Sequence, residues 1–413
     1  MTLRKFFFWC HLTAGVVGGV VIAIMSVTGA LLAYEKQIVL WADTRQFTIA
    51  PPSAESPRLA VESLVAKAQE AEPQAAFTGV TVRAGANSPV ALAAGQRTLY
   101  VDPYDGRILG ETSPGVRRFF RVVTDWHRTL AFSGEQRTIG KAITGACNLA
   151  FLFIVASGIY LWWPKAWTRR QLRSITLFKW DLGGKARDFN WHNTIGFWSA
   201  IPLFVVVLGA TVISYPWASD LAYRVAGEEP PPRQRPPAAA QGPQGGPGGP
   251  GGPERGGRPG GGERRRPSLA GLDTLWPKAE QQVAGWRSIT LRIPTAADAS
   301  VVFTIDRGYA GQPQKRGTLT LNRASGEVVS WEPYASLSAG RRLRTWLRFV
   351  HTGEFYGLAG QTVAGLVSFG GAVLMYTGFA LAFRRFLGWR LRLRKGAVIS
   401  DQGLAMRGRL SDP

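Results

Sequence analysis

Four stretches of the chain carry no acidic or basic side chain for longer than a bilayer crossing needs, about 20 residues. They are Phe6–Tyr34, Ala142–Pro164, Phe189–Ser219 and Phe355–Phe383. A buried helix of a soluble protein rarely runs so far without a charge, so the pattern predicts four transmembrane helices. Between the first and second, and again between the third and fourth, the pattern changes to short helical and period-two segments. SLVAKA (63–68) echoes TLWPKA (274–279), and VTVR (80–83) echoes ITLR (289–292). TLYVDPYDGRIL (98–109) echoes TLTLNRASGEVV (318–329). In each of these last two, strand patterns flank a turn whose glycine, Gly106 or Gly326, suits a positive φ.

The order span, α+β segment, Arg-Arg, His, span therefore occurs twice, which reads as an internal duplication. The expected fold is an integral membrane protein, an all-α four-helix transmembrane bundle with two α+β domains outside it. The expected boundaries are span one at 6–34, the first α+β domain at 35–115, and an interfacial segment with span two at 116–164. A loop at 165–188 and span three at 189–219 follow. The second α+β domain is expected at 220–340, the second interfacial segment with span four at 341–383, and a tail at 384–413. One segment breaks the symmetry. Residues 227–267 contain no aromatic residue and no aliphatic larger than Ala. Such a Gly/Pro/Arg stretch cannot offset its ordering entropy, so a disordered insertion is expected.

Composition enters through the charge. A net charge of +22 could suggest nucleic acid, but the basic residues sort by side of the membrane. Arg4 and Lys5 precede the first span, seven Lys and Arg residues lie between the second and third, and Arg384, Arg385, Arg390, Arg392, Arg394 and Lys395 follow the fourth. The positive-inside rule then places both termini and the 165–188 loop in the cytoplasm and both long loops outside. The charge records topology and a lipid bilayer partner, not a nucleic acid. The first span is twice an ordinary signal-peptide core and no A-x-A site follows it, so a retained anchor is expected. Cys10 and Cys147 are the only cysteines, and this topology puts them near opposite faces, so they form no disulfide and no cysteine-based metal site.

The candidate chemistry rests on histidine, of which there are four. FWCHLTAG (8–15) and FNWHNTIG (189–196) align as F-x-x-H-x-T-x-G, placing His11 and His192 at matching points near the cytoplasmic end of spans one and three. His127 and His351 come just before spans two and four, on the other side. The four make two layers, each drawn from equivalent helices of the repeat. Two neutral imidazoles on facing helices suit the two axial positions of a haem iron. Glycines beside them, among them Gly15, Gly18, Gly19, Gly140, Gly196 and Gly360, would let a flat macrocycle approach. Taken singly, each histidine fits a headgroup contact, and small residues also promote plain helix packing. What favours ligation is that all four fall in repeat-equivalent places. Arg117, Arg118, Arg341 and Arg342 lie outside, against the positive-inside trend. They suit haem propionates or an anionic substrate through guanidinium forks, or phospholipid phosphates beneath an amphipathic helix. The sequence carries no dinucleotide loop, P-loop, H-E-x-x-H or credible Ser/His/Asp set, and so no catalytic residue beyond the haem ligands.

These residues resemble a known family. H-x-x-x-G opening an apolar span, Thr28-Gly29 and Thr377-Gly378 near the ends of spans, WHRTL before the second span and SGIYLWWPK closing it are similar to the PepSY-associated transmembrane proteins. YVDPYDGRILGE resembles the PepSY module itself. The resemblance implies a bacterial inner-membrane, iron-regulated protein or ferric-siderophore reductase with periplasmic PepSY-like domains. It implies haem b, two per chain, with His11 and His192 ligating the cytoplasmic-side haem and His127 and His351 the periplasmic-side haem. The partners implied are a ferric siderophore and, as electron donor, quinol or a cytoplasmic reductase. Two other readings stand beside this oxidoreductase: a non-enzymatic PepSY sensor or inhibitor module that binds a periplasmic partner, and metal translocation along the histidines. The last is weakened because the spans lack midplane carboxylates.

Overall fold

A computed structural model describes residues 2–47, 49–53, 56–95, 97–163, 168–232, 268–309 and 311–409, with side chains through Arg392. The expected disordered insertion lies, from residue 233 on, outside the described residues. The chain divides into two compact units. The first comprises Met1–Leu31, Asp125–Ser214 and the segment from Val363; the second comprises Leu32–Thr124 and Tyr215–Thr362.

In chain order the helices are α1 (Leu3–Leu32), α2 (Glu35–Thr44), α3 (Val61–Ala71), α4 (Pro114–Thr129), α5 (Arg137–Trp162) and α6 (Arg169–Thr176). They continue as α7 (Gly184–Ser214), α8 (Pro216–Val225), α9 (Leu272–Gln282), α10 (Ala339–His351) and α11 (Gly357–Arg409). The strands are β1 (Phe77–Arg83), β2 (Val90–Ala94), β3 (Arg97–Val101), β4 (Ile108–Glu111), β5 (Ser288–Arg292), β6 (Ser300–Asp306), β7 (Arg316–Asn322) and β8 (Val328–Pro333).

Four helical stretches among the described residues are long and apolar enough to cross a membrane: Leu3–Leu32, Gly134–Trp162, Gly184–Ser214 and Glu354–Arg392. The third differs from the expected 189–219 at both ends. It starts earlier because Asp188, buried in its first turns, is neutralised by Arg187 and Arg384 at 3.1 Å each. The Asn190 side chain meanwhile ties down the incoming loop, accepting from the Lys179 N–H and donating to the Ser174 and Leu177 carbonyls. It stops at Ser214 because Tyr215, the residue before Pro216, is extended, and Pro216 is well suited to begin a helix, so α8 starts there. The bundle core joins Ile22, Phe151, Ile154, Leu203, Val367 and Leu374. In lipid no hydrophobic force draws helices together, so small residues and polar pairs carry the packing. A β-carbon at Gly19 would lie 2.6 Å from the Phe379 ring, and Asn148 donates to Thr211 Oγ1 at 2.9 Å between α5 and α7.

The two α+β segments do not make two sheets. All eight strands form one antiparallel sheet in the order β4-β3-β2-β1-β5-β6-β7-β8. The junction is β1 against β5, where Thr81 pairs with Thr290 and their hydroxyls meet at 3.0 Å. Each four-strand half would otherwise end in an edge strand with unpaired amides, and joining the halves removes both inner edges. Strand alternation puts Val80, Val82, Ile289, Leu291, Phe303, Ile305 and Leu319 on one face. There α3 and α9 cover them with Leu64, Val65, Leu272 and Leu275. The two helices cap one another: the Glu62 N–H donates to Asp273 and the Asp273 N–H to Glu62, both at 3.0 Å. The echoed lysines also have equivalent roles. Lys67 Nζ donates to the Asp105 carbonyl and Lys278 Nζ to that of Gly326, each clamping its hairpin turn at 2.8 Å. Gly106 and Gly326 adopt φ of +79° and +67° there, as the turn requires.

Candidate functional site

His11 lies in α1 and His192 in α7, on different helices of the bundle, and each is held the same way by a third and fourth helix. His11 Nδ1 is 2.9 Å from Ser157 Oγ on α5, and His192 Nδ1 is 2.9 Å from Thr377 Oγ1 on α11. Each hydroxyl is followed by a glycine that lies against the ring. A β-carbon at Gly158 would sit 3.5 Å from His11 Cε1, and one at Gly378 would sit 3.6 Å from His192 Cε1. His127, in the last turn of α4, repeats the arrangement with the far end of α1. Its Nδ1 is 3.0 Å from Thr28 Oγ1, and a β-carbon at Gly29 would come within 3.3 Å of Cε1.

The hydroxyl protons decide which ring nitrogen carries hydrogen. Ser157 Oγ donates to the Ile154 carbonyl at 3.1 Å, Thr377 Oγ1 to Val373 at 2.9 Å, and Thr28 Oγ1 to Ile24 at 2.6 Å. A hydroxyl has one proton, and each helix offers a carbonyl to take it. With the proton donated to that carbonyl the oxygen is left to accept, and Nδ1 is then the N–H of the ring. The tautomer that follows has its lone pair on Nε2, which makes no hydrogen bond in His11 or His192 among the described residues.

This is the form in which proteins present histidine to a metal: one ring nitrogen tethered and the other bare. Trp162, one turn past Gly158, and Trp191, beside His192 in the chain, each bury an indole N–H with no partner among the described residues. They are buried donors without an acceptor among the described residues. Ser157, Thr28 and Thr377 were not candidates on sequence grounds. Their signal was present nonetheless, as the Ser/Thr-Gly dipeptides toward the ends of three spans.

The other sequence candidates fall elsewhere. His127 belongs to the first unit, while His351 is the last residue of α10 in the second. Arg117 is committed inside the second unit. The fully buried Asp43 carboxylate of α2 accepts from Arg117 Nε at 3.2 Å, from the Ser113 N–H at 2.6 Å and from the Tyr100 hydroxyl at 3.2 Å. Burial, and then the Asp43 charge, push the Tyr100 hydroxyl above its ordinary range. Arg118, Arg341 and Arg342 are exposed. Three of the glycines read as room for a macrocycle are filled by protein instead. Gly19 faces Phe379, Gly140 packs under the Thr129 carbonyl and Gly360 under that of Gly353.

The fold and these histidines define a multi-pass membrane protein that presents tethered imidazoles inside a four-helix bundle. The sequence matches the PepSY-associated TM region over residues 8–385, and the chain belongs to that family. No curated relative matches it.

Proposed function

We propose that this protein is a haem-containing electron-transfer oxidoreductase of the bacterial inner membrane. It would pass single electrons from quinol or a cytoplasmic reductase to a ferric siderophore on the periplasmic side, where the sheet unit would lie. The observation that carries the reading is the tethering of His11 and His192. Nδ1 of each lies 2.9 Å from a hydroxyl that is itself within hydrogen-bond distance of its own helix, and Nε2 makes no hydrogen bond among the described residues. Haem needs only two protein ligands, because the macrocycle supplies the rest. The described residues offer no cluster of three or more His, Cys, Asp or Glu side chains for a metal held by protein alone. The donor set therefore fits haem b better than a bare ion. His11 and His192 would hold one haem, and the buried indoles of Trp162 and Trp191 suit acceptor groups at its rim. A second haem on His127 and His351 rests on the sequence repeat, with Thr28 holding the Nδ1 proton of His127.

When bound, haem supplies a one-electron ferric/ferrous couple. The protein's part is to fix the ring planes through Ser157 and Thr377, keep the protons on Nδ1 and exclude water with the bundle core. On the substrate, one electron converts Fe(III) to Fe(II), for which siderophore oxygen donors have far less affinity. The test is the visible spectrum of protein purified after expression with ample haem. Sharp b-type bands on reduction, two haems per chain and reoxidation by a ferric siderophore are expected. His11→Ala and His192→Ala should each remove one and the same haem, and His127→Ala and His351→Ala the other. Colourless protein would overturn the haem reading and leave a PepSY sensor or inhibitor module. Loss of both haems in every single variant would overturn the two-pair assignment.

A further inference from the structure

The helix α4, PGVRRFFRVVTDWHRT, has three faces where an ordinary surface helix has two. Phe120 and Val123 are buried, 3% and 7% exposed, and His127 follows them on the same flank at helical spacing. Phe119, Val122 and Trp126, also three and four residues apart, form a second stripe that nothing covers, with exposures of 51%, 49% and 42%. Arg118, Arg121 and Arg128 make the third, all exposed. None of these three arginines meets a carboxylate within ion-pair distance among the described residues. The acids nearby are engaged elsewhere, Asp43 with Arg117 and Asp125 with Arg137 at 3.7 Å.

A naked aromatic stripe beside a naked guanidinium stripe has one natural solvent, the headgroup region of a bilayer. Two further observations point there. Uncovered apolar stripes recur on α8, at Trp217, Leu221 and Val225, and on α2, at Ile38 and Trp41. All of these helices join a span almost directly. Helix α2 begins three residues after α1 ends and α8 two residues after α7 ends, while α4 stops five residues before the Gly134–Trp162 crossing begins. In the chain each of them therefore adjoins the end of a membrane crossing. Helix α10 lacks the stripe, because its Leu347 and Phe349 are buried in the protein.

We propose that α4 lies in that membrane surface and binds anionic phospholipid, with Phe119, Val122 and Trp126 among the acyl chains and Arg118, Arg121 and Arg128 on the phosphates. Guanidinium forks match phosphate oxygens, and three uncompensated cations favour a lipid that carries net negative charge. This explains why arginines accumulate on the side of the membrane where the positive-inside trend disfavours them. It also gives the lipid contact a role, because the same helix carries His127 on its buried flank and so holds that turn at a fixed depth. The inference does not depend on haem.

The test uses the full chain with Cys10→Ala and Cys147→Ala, in nanodiscs of phosphatidylcholine with or without phosphatidylglycerol. Single cysteines at 118, 119, 121, 122 and 126 receive spin labels. Labels at 119, 122 and 126 should be reached by oxygen in preference to a water-soluble nickel chelate, and those at 118 and 121 the reverse. Phosphatidylglycerol should raise the Tm of the unlabelled wild type, and Arg118→Gln/Arg121→Gln/Arg128→Gln should lose that rise while matching the wild type in pure phosphatidylcholine. Three outcomes would overturn the proposal: oxygen access without the helical period, labels shielded from both reagents by a second copy or other protein, or an undiminished Tm rise in the triple variant.

Discussion

Both units bury polar side chains, but they arrange them differently. In the sheet unit the buried Asp43 and Glu354 carboxylates are answered by the protein's own donors. Asp43 collects four donor contacts from Arg117, Ser113 and Tyr100. Glu354, 6% exposed, takes Lys36 at 2.8 Å, and Gln361 donates to the Ala33 carbonyl while accepting from Gln37. These carboxylates and amides are engaged by protein, although Arg83 Nη1 and Gln314 Oε1 in the same unit are buried without a partner among the described residues. In the bundle, His11 and His192 are satisfied on one nitrogen and open on the other. A closed network stabilises a fold, and a half-open one at matching positions is built to take something. That difference separates structural from functional polarity here better than burial alone, since both kinds are sequestered from water.

The largest effect should come from breaking the closed kind. Asp43→Ala strands Arg117, the Ser113 N–H and the Tyr100 hydroxyl together. Removing one partner of a buried pair costs 3–5 kcal/mol, and because the Arg117 side chain keeps 38% exposure the loss should be roughly 3 kcal/mol. Thermal unfolding followed by circular dichroism should show it in the sheet unit, with the absorbance of bound haem unchanged at low temperature. Haem loss in the folded variant would mean that Asp43 supports the ligand site after all.

The half-open kind should respond in the opposite manner. Thr377→Val and Ser157→Ala keep the bundle packed but remove the acceptor that fixes Nδ1–H. Hydrogen-bond partners that hold the far nitrogen of a metal-binding histidine are typically worth about 10–100-fold in metal affinity, so each variant should retain its fold and bind the His11/His192 haem that much more weakly. The redox potential and low-temperature spectrum of that haem should shift as well, and Thr377→Ser should restore both. A variant that unfolds in proportion to its haem loss, without rescue by serine, would assign the hydroxyls to packing alone.

Much of this was legible in the sequence for identifiable reasons. Charge-free length marks a span regardless of tertiary context, and the glycines at 106 and 326 announce turns because few other residues accept φ near +70°. The echo of Lys67 and Lys278 marked a common role, although only the structure shows them clamping equivalent hairpins. What the pattern could not convey was non-local. The alternation of VTVR and ITLR fits two separate sheets as well as one, because strand period says nothing about which edges meet. The end of α7 was misjudged because the absence of charge continues past Pro216 while the helix does not. The histidine positions were visible, but their hydroxyl tethers lie between 99 and 185 residues away along the chain, and no local pattern joins them. Arg117 looked like its neighbour Arg118, and only the fold shows that one faces Asp43 and the other is exposed.

The smallest expected effect tests whether the closed networks of the sheet unit include a weak member. Glu35, at the start of α2, is a carboxylate whose affinity for its proton is raised. Burial is the main cause; Glu354 adds to it, while Lys36 and Arg117 oppose it. A carboxyl whose folded pKa is raised above the ordinary 4.5 favours the fold while protonated. That contribution is complete below 4.5 and is lost as pH rises through the folded value, so at neutral pH the ionised Glu35 weakens the unit. Glu35→Gln imitates the protonated form. It should therefore be more stable than the wild type at pH 7, with the difference shrinking as the pH is lowered toward 4 and the wild-type carboxyl takes up its proton. A gain independent of pH would trace the effect to packing, and a loss at pH 7 would make Glu35 a working partner of Lys36, as fully satisfied as Asp43.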